Sequence, residues 1–326
     1  MVVATSRLAR APRLRDALFL FALCLLAASL FCSGSKTEAA ASSGVRALVL
    51  GIAQDGGVPH IGCHKDVCLK ARKDPRFRER VAALGLIDED NGKRFLVDAT
   101  PDMPSQLETL LGTGPWQSPP LDGILLTHAH IGHYAGLMYL GREALGASGV
   151  PVYATPRMSA YLRDNGPWSQ LVKLGNIELR TLPPGEEVAL TPKLRVTAVT
   201  VPHRDELSDT VGFRIRGQHR VLLYIPDVDK WERADKPLAG LLSGVDVALL
   251  DGTFSDVSEL PGRSMAEVPH PLVGETVNLL PKDRPGLRVF FIHLNHTNKL
   301  LWDSPARQAL HDQGFDVPRD GEEIFI

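Results

Sequence analysis

Within LTHAHIGHYAG, Leu126–Gly136, three imidazoles follow an apolar run that reads as a buried strand. His128 and His130 are two apart, so an extended or tightly turned segment points both rings the same way, and His133 returns from the first turn of the helix that follows. Neutral imidazoles are good ligands for zinc-like ions, and a His-x-His pair delivers two of them with little extra chain ordering. A third ligand completes a three-histidine site, and His203 of TVPH is the best candidate. Asp227 of YIPD is then placed to bridge to a second ion held by His133 and His293. Two ions so bridged stabilise both the attacking and the leaving oxygen of a displacement.

The elements that must position these groups are legible as a pattern. From Val45 short β-rich runs alternate with helical stretches: strands are expected at VRALVLG (45–51), KRFLVDA (93–99), DGILLTH (122–128), VPVYAT (150–155), LRVTAVTV (194–201), TVGFRIRG (210–217), HRVLLYIPD (219–227), VDVALLD (245–251), RVFFIH (288–293) and EEIFI (322–326). Several are apolar throughout, as strands covered on both faces are. Helices are expected at PDMPSQLETLLG, HYAGLMYLGREALG and SPARQALHDQG, and RGQHR reads as a hairpin turn. Asp98, His128, His203, Asp227, Asp251 and His293 each fall at or just beyond the C-terminal end of a predicted strand. Strand ends are where a rigid scaffold aims side chains into one cleft.

The 326 residues are 44% hydrophobic and 23% charged with a formal charge of −2, an ordinary globular composition with no general basic surface for nucleic acid. The first forty residues differ: four arginines precede ALFLFALCLLAASLFC, and small and polar residues follow. Residues 1–41 read as a signal peptide with an A-x-A-like site at Ala39 and Ala41, or as a lipidated or retained membrane anchor. Residues 44–326 form the expected catalytic domain, exported to the periplasm or held at the membrane facing outward. The membrane is expected to be contacted only through the leader, the partner is a small-molecule substrate, and the oligomeric state is left open.

The ordered set THAHIGH (127–133), PH (202–203), IPD (225–227) and FIH (291–293) resembles the metallo-β-lactamase-fold hydrolase superfamily over nearly the whole chain after the leader. Within it the likeness runs to the pyrroloquinoline quinone biosynthesis protein B group and the related cyclic-phosphate phosphodiesterases, through GIAQDGGVPHIGCHKDVCLKAR, VPHRDELSDTVGFRI, LYIPDVD, LLDGTF and FIHLNHTN. The resemblance implies an α/β fold, a four-layer αββα sandwich with metals at the sheet edges. It also implies that His128, His130 and His203 hold one ion, that His133 and His293 hold a second, and that Asp227 bridges them. Asp98 is implied to orient a ligand histidine from behind. Zn2+ is expected, as one or two ions, with Mn2+ or Fe2+ as alternatives.

Against the family pattern His-x-His-x-Asp-His, Gly132 stands where the aspartate belongs, so the resemblance implies a second ion that is weakly held or absent. Asp251 of LLDGTF and His270 of VPHPLVGE fall where related phosphodiesterases place accessory catalytic groups. Those relatives also carry a Cys-x-Cys-x-x-Cys run holding a structural zinc. Here Cys63 and Cys68 remain, Lys65 replaces the middle cysteine, and His296 with His64 or His60 completes a four-ligand set; a Cys63–Cys68 disulfide is the rival. The Gly56–Pro59 loop is either a plain turn or a substrate contact, and Tyr134, Trp168 and Trp231 line a pocket or pack in the core.

The reading is an exported metal-dependent hydrolase of a phosphodiester or related ester, with metal-bound hydroxide as nucleophile. The alternatives are an oxygenase or handling protein with a mononuclear metal, like the quinone biosynthesis protein, and a non-catalytic metal or ligand carrier.

Overall fold

A computed structural model describes residues 44–326 other than 114, 265 and 266. The leader read at 1–41 lies outside the described residues. Two seven-stranded mixed sheets carry the fold. The first contains β1 (Val45–Gly51), β2 (Ala83–Asp88), β3 (Lys93–Val97), β4 (Gly123–Leu125), β5 (Val150–Ala154) and β6 (Ile177–Thr181). The second contains β7 (Glu187–Ala189), β8 (Arg195–Thr200), β9 (Val211–Arg216), β10 (Val221–Ile225), β11 (Val247–Asp251), β12 (Arg288–Ile292) and β13 (Phe315–Asp316), while β14 (Glu323–Phe325) returns to the outer edge of β1. In each sheet one half is antiparallel and the other parallel: β14-β1-β2-β3 then β3 to β6, and β7-β8-β9-β10 then β10 to β13. The expected RGQHR hairpin joins β9 to β10, closed by Gly217 N–H donating to Arg220 O at 3.0 Å.

Strand alternation explains why so many strands are apolar throughout. In β1, Val45, Ala47 and Val49 face the core between the sheets, where they join Val196, Phe213, Leu222 and Phe291. Leu48 and Leu50 point the other way, into a second core with Met103, Leu107 and Leu110 of the helix Met103–Leu111. β3 divides likewise, with Phe95 and Val97 inward and Leu96 outward. A strand covered on both faces needs apolar residues at both parities. Sheet on sheet with helices outside is the αββα arrangement.

Two departures from the sequence reading have local causes. β2, ALGLID, was not expected, because alanine and glycine carry little β signal. Gly85 is small because the helix Met103–Leu111 lies against it: a Cβ there would stand 2.6 Å from Leu110 Cδ1. The long helix expected from His133 is instead one α-turn, Ile131–Tyr134, followed by a 3-10 stretch, Ala135–Leu140. Gly136 sets that path, since a Cβ there would overlap Thr100 O and stand 2.9 Å from the Ala99 carbonyl carbon. Among the described residues no helix is long and apolar enough to cross a membrane.

Candidate metal centre

Asp98, His128, His203, Asp227 and His293 lie beyond the ends of β3, β4, β8, β10 and β12, and Asp251 is the last residue of β11. His133 joins them because its backbone is tied back to β3's end: Ala99 N–H donates to His133 O at 2.9 Å. The backbone is held in an unusual state at two of these positions. Asp98 has φ +66° and His293 φ +62°, a region that costs L residues of this size about 1–2 kcal/mol and tends to persist where surroundings over-determine it.

The imidazoles fall into two groups. Ligand-capable atoms of His128, His130 and His203 lie within 4.8 Å of one another, and so do those of His128, His133 and Asp227. His128 Nε2 is 2.9 Å from His130 Nδ1. Burial holds His128 and His130 below the usual imidazole range and His203 at about 4, so all three are neutral near pH 7, as ligands must be. Around the other group, His133 Nε2 is 2.9 Å from Asp227 Oδ2 and His293 Nε2 is 3.3 Å from the same oxygen. Asp227 Oδ1 faces the first group, 3.7 Å from His203 Nε2. Burial of Asp227 raises its pKa, but His293 and His133, when protonated, outweigh it and hold the carboxyl well below the usual range.

The outer partners fix which nitrogen each ring offers. Asp98 is fully buried and accepts from Thr127 N–H at 2.9 Å, Thr127 Oγ1 at 2.9 Å and His133 Nδ1–H at 2.8 Å, which leaves His133 Nε2 as the bare nitrogen. Thr253 Oγ1 donates to Asp251 Oδ1 at 2.7 Å, so its oxygen is free to accept from His293 Nδ1–H at 3.0 Å, and His293 Nε2 is bare too. His270 Nδ1–H donates to Asp251 Oδ2 at 2.7 Å. Burial opposes a charge on His270, but Asp251 outweighs it and raises the imidazole above its ordinary value. Its ring centroid stands 5.3 Å from that of His203 and 5.9 Å from that of His293, so this dyad flanks both groups.

Whether these residues fit an ion is decided by four atoms. His133 Nε2, His293 Nε2, Asp227 Oδ2 and Asp55 Oδ1 are all buried without a hydrogen-bond partner. The nitrogen–oxygen separations among them are 2.9, 3.3, 3.5 and 3.7 Å. A tetrahedral zinc site with ligands at about 2.0–2.1 Å has edges of about 3.3 Å. Bare nitrogens and carboxylate oxygens at such spacing repel unless a cation lies between them, and buried polar groups left unpaired are otherwise costly.

Asp55 was not anticipated, and it revises the expectation attached to Gly132. A Cβ on Gly132 would overlap Asp55 Oδ1 and stand 2.8 Å from Asp55 Cγ. The space beside residue 132 therefore already contains a carboxylate, supplied from the loop after β1. Burial opposes a charge on Asp55, but His133 and His293, when protonated, outweigh it and hold the carboxyl below its usual range. The signal that could have found it was the strand-end pattern itself, since Asp55 lies four residues beyond VRALVLG.

The Cys63 and Cys68 thiols are free, and both lie with His296 in a ligand-sized cluster in which His296 Nδ1 is buried and unpartnered. His64 is exposed, whereas the His60 ring stacks on His296 with centroids 4.4 Å apart, so of the two histidines weighed for this cluster His60 is the one beside it. Tyr134 and Trp168 pack edge to face in the outer core and Trp231 donates to Thr276 Oγ1 in the inner one, so these aromatics are packing residues.

The Beta-lactamase superfamily domain matches residues 93–294. The chain belongs to this superfamily. It is 30% identical over 308 residues to Coenzyme PQQ synthesis protein B of Methylobacterium sp. (strain 4-46), covering 86% of this chain and 100% of the relative. With the protein of the same name from Methylorubrum populi it shares 29% over 303 residues, covering 84% and 97%. The crystal structure of Zn(2+)-bound PqqB from Methylobacterium extorquens matches with TM-score 0.73 and 25% identity, over 86% of this chain and 100% of that one. A diphosphatase of the PhnP family matches with TM-score 0.64 and 22% identity, over 87% and 97%, a likeness of fold.

Proposed function

We propose that the chain is a metal-dependent hydrolase acting on a phosphodiester or related ester of a small molecule. The observation that carries this reading is the set of buried, unpartnered ligand atoms converging at the sheet edges beside a second, histidine-only set. Zinc is the ion this donor set fits best, and its presence in a similar structure supports the choice. When bound, such an ion lowers the pKa of water and polarises the phosphoryl oxygen.

The chain's own groups supply the rest. His128, His130 and His203 form one neutral cradle, Asp227 spans to the other, and Asp98 and Thr253 hold the ring nitrogens in the coordinating tautomer. His270, held by Asp251 through Nδ1, presents Nε2 for proton transfer to a leaving oxygen, the part a general acid plays. His128, His133, Asp227 and His293 are buried, which limits bulk water around the reacting groups. The leader supports an exported protein whose substrate is met outside the cytoplasm.

The near full-length similarity to Coenzyme PQQ synthesis protein B favours a second reading, a handling or oxygenase role in quinone-cofactor biosynthesis. Elemental analysis of purified protein together with turnover of bis(p-nitrophenyl) phosphate, lactones and lactams separates them. Zinc or manganese with diester cleavage supports the hydrolase. Iron with oxygen uptake and no cleavage supports the second reading, and bound metal with neither activity points to a carrier.

A further inference from the structure

The space beside Gly132 is filled from a distant part of the chain, and this has a consequence that rests on the reading of the cleft as a metal centre. We infer that Asp55 is the carboxylate ligand of the second ion, and that Gly132 is glycine because its missing side chain is the room Asp55 needs.

Three observations carry this. The first is space: a side chain starting from the Gly132 Cα would overlap the Asp55 carboxylate, so only one of the two positions can bear it. The second is aim. The Asp55 side chain is 44% exposed, yet Oδ1 is turned inward, buried and without a hydrogen-bond donor, 3.5 Å from His133 Nε2 and 3.7 Å from His293 Nε2. A half-exposed aspartate is free to put both oxygens in water. Holding one of them against two bare nitrogens is explained by a cation among them.

The third is the hold on the loop. Ala53 forms isolated parallel bridges to Val81, just before β2 of the first sheet, and to Leu294, just beyond β12 of the second, and Gln54 N–H donates to Leu294 O at 2.9 Å. These pin the strand exit directly beside His293. Gly57, at φ +61°, closes the turn by donating N–H to Gln54 O at 2.8 Å, leaving Asp55 at the turn's apex over the cleft.

A ligand moved from a helix start to a loop keeps the donor count of the second site while altering what surrounds it. The inner oxygen faces the ion and the outer part of the carboxylate faces the cleft mouth, where substrate enters. The loop from Ala53 to Val58 is then ordered in part by the ion, so metal loading and loop order are linked.

Direct metal binding tests the assignment. Zn2+ content after dialysis and Co2+ titration followed by visible absorption are measured on the wild type, Asp55→Asn, Asp55→Ala and the reciprocal pair Asp55→Ala/Gly132→Asp. The wild type is expected to take two ions at the cleft. Asp55→Asn, which fits the same space, and Asp55→Ala are expected to keep one and to weaken the other by about 100-fold or more, at least the loss that follows removal of an outer partner. The reciprocal pair is expected to regain the second ion. Unchanged second-site affinity in Asp55→Asn would overturn the inference, as would a folded reciprocal pair that still holds one ion. Absence of cleft metal from the wild type would instead overturn the metal-centre reading beneath it.

Discussion

Asp98 offers a perturbation whose two versions should separate folding from metal binding. Asp98→Ala removes the acceptor for Thr127 N–H and His133 Nδ1–H, both buried. Each stranded donor costs about 1–3 kcal/mol, so the loss is about 2–6 kcal/mol, with roughly 1 kcal/mol more because alanine must adopt the positive φ at 98. Asp98→Asn behaves differently. Asparagine tolerates that backbone, and its oxygen can still accept from Thr127, which leaves its amide facing His133 Nδ1. Two donors cannot face each other there, so the imidazole must shift its proton to Nε2, the nitrogen aimed at Asp227. The expected result is a fold destabilised by less than about 2 kcal/mol but a second-site Zn2+ affinity reduced by about 100-fold. Denaturant unfolding with chelator present measures the first quantity, and Zn2+ competition titration the second. An Asp98→Asn protein binding Zn2+ within about threefold of wild type would refute the tautomer argument, since that loss would be far below the 10–100-fold expected of such a partner.

Asp251→Asn should lower kcat by about 10²–10⁴-fold, the usual worth of a general acid, while leaving metal content unchanged, as read by single-turnover kinetics alongside elemental analysis. Chelation of the cleft metal should lower the melting temperature: an ion present at about 1,000 times its Kd contributes about 4 kcal/mol, and scanning calorimetry with and without EDTA should show a fall on the order of 10 °C. Glu79 is raised by burial and by Asp320 to about 7 despite Arg307 and Arg80. The folded state therefore holds a proton that the unfolded state has already released, and stability declines as pH rises from about 4.5 to 7. Glu79→Gln should stabilise the protein at pH 8 by about 1–3 kcal/mol and have no effect at pH 4, and equal effects at both would contradict this account. Gly136→Ala should destabilise by about 1–3 kcal/mol or more, measured by urea unfolding, because the added methyl meets the backbone at Thr100.

Much of the frame was readable from local order. The strands with β-branched and aromatic residues stand out, such as RVFFI and VALLD, and their polar terminators marked the site edge. ALGLID did not stand out, because its small residues are there to admit a helix that propensity rules cannot see. Likewise the segment after His133 carried helical periodicity, but Gly136 packs against the end of β3 and tightens the chain into a 3-10 path.

The sequence by itself determined the candidate histidines and Asp227, because spacing within THAHIGH and placement at strand ends are properties that each local stretch expresses on its own. It also showed that residue 132 carries no carboxylate. Only the tertiary structure decided that the carboxylate is nevertheless there. Asp55 reaches the cleft because Ala53 is bridged to segments flanking a strand of each sheet and Gly132 leaves a space the size of a side chain. That fit depends on two remote segments sharing one volume, and shared volume is fixed by packing rather than by the residues on either side.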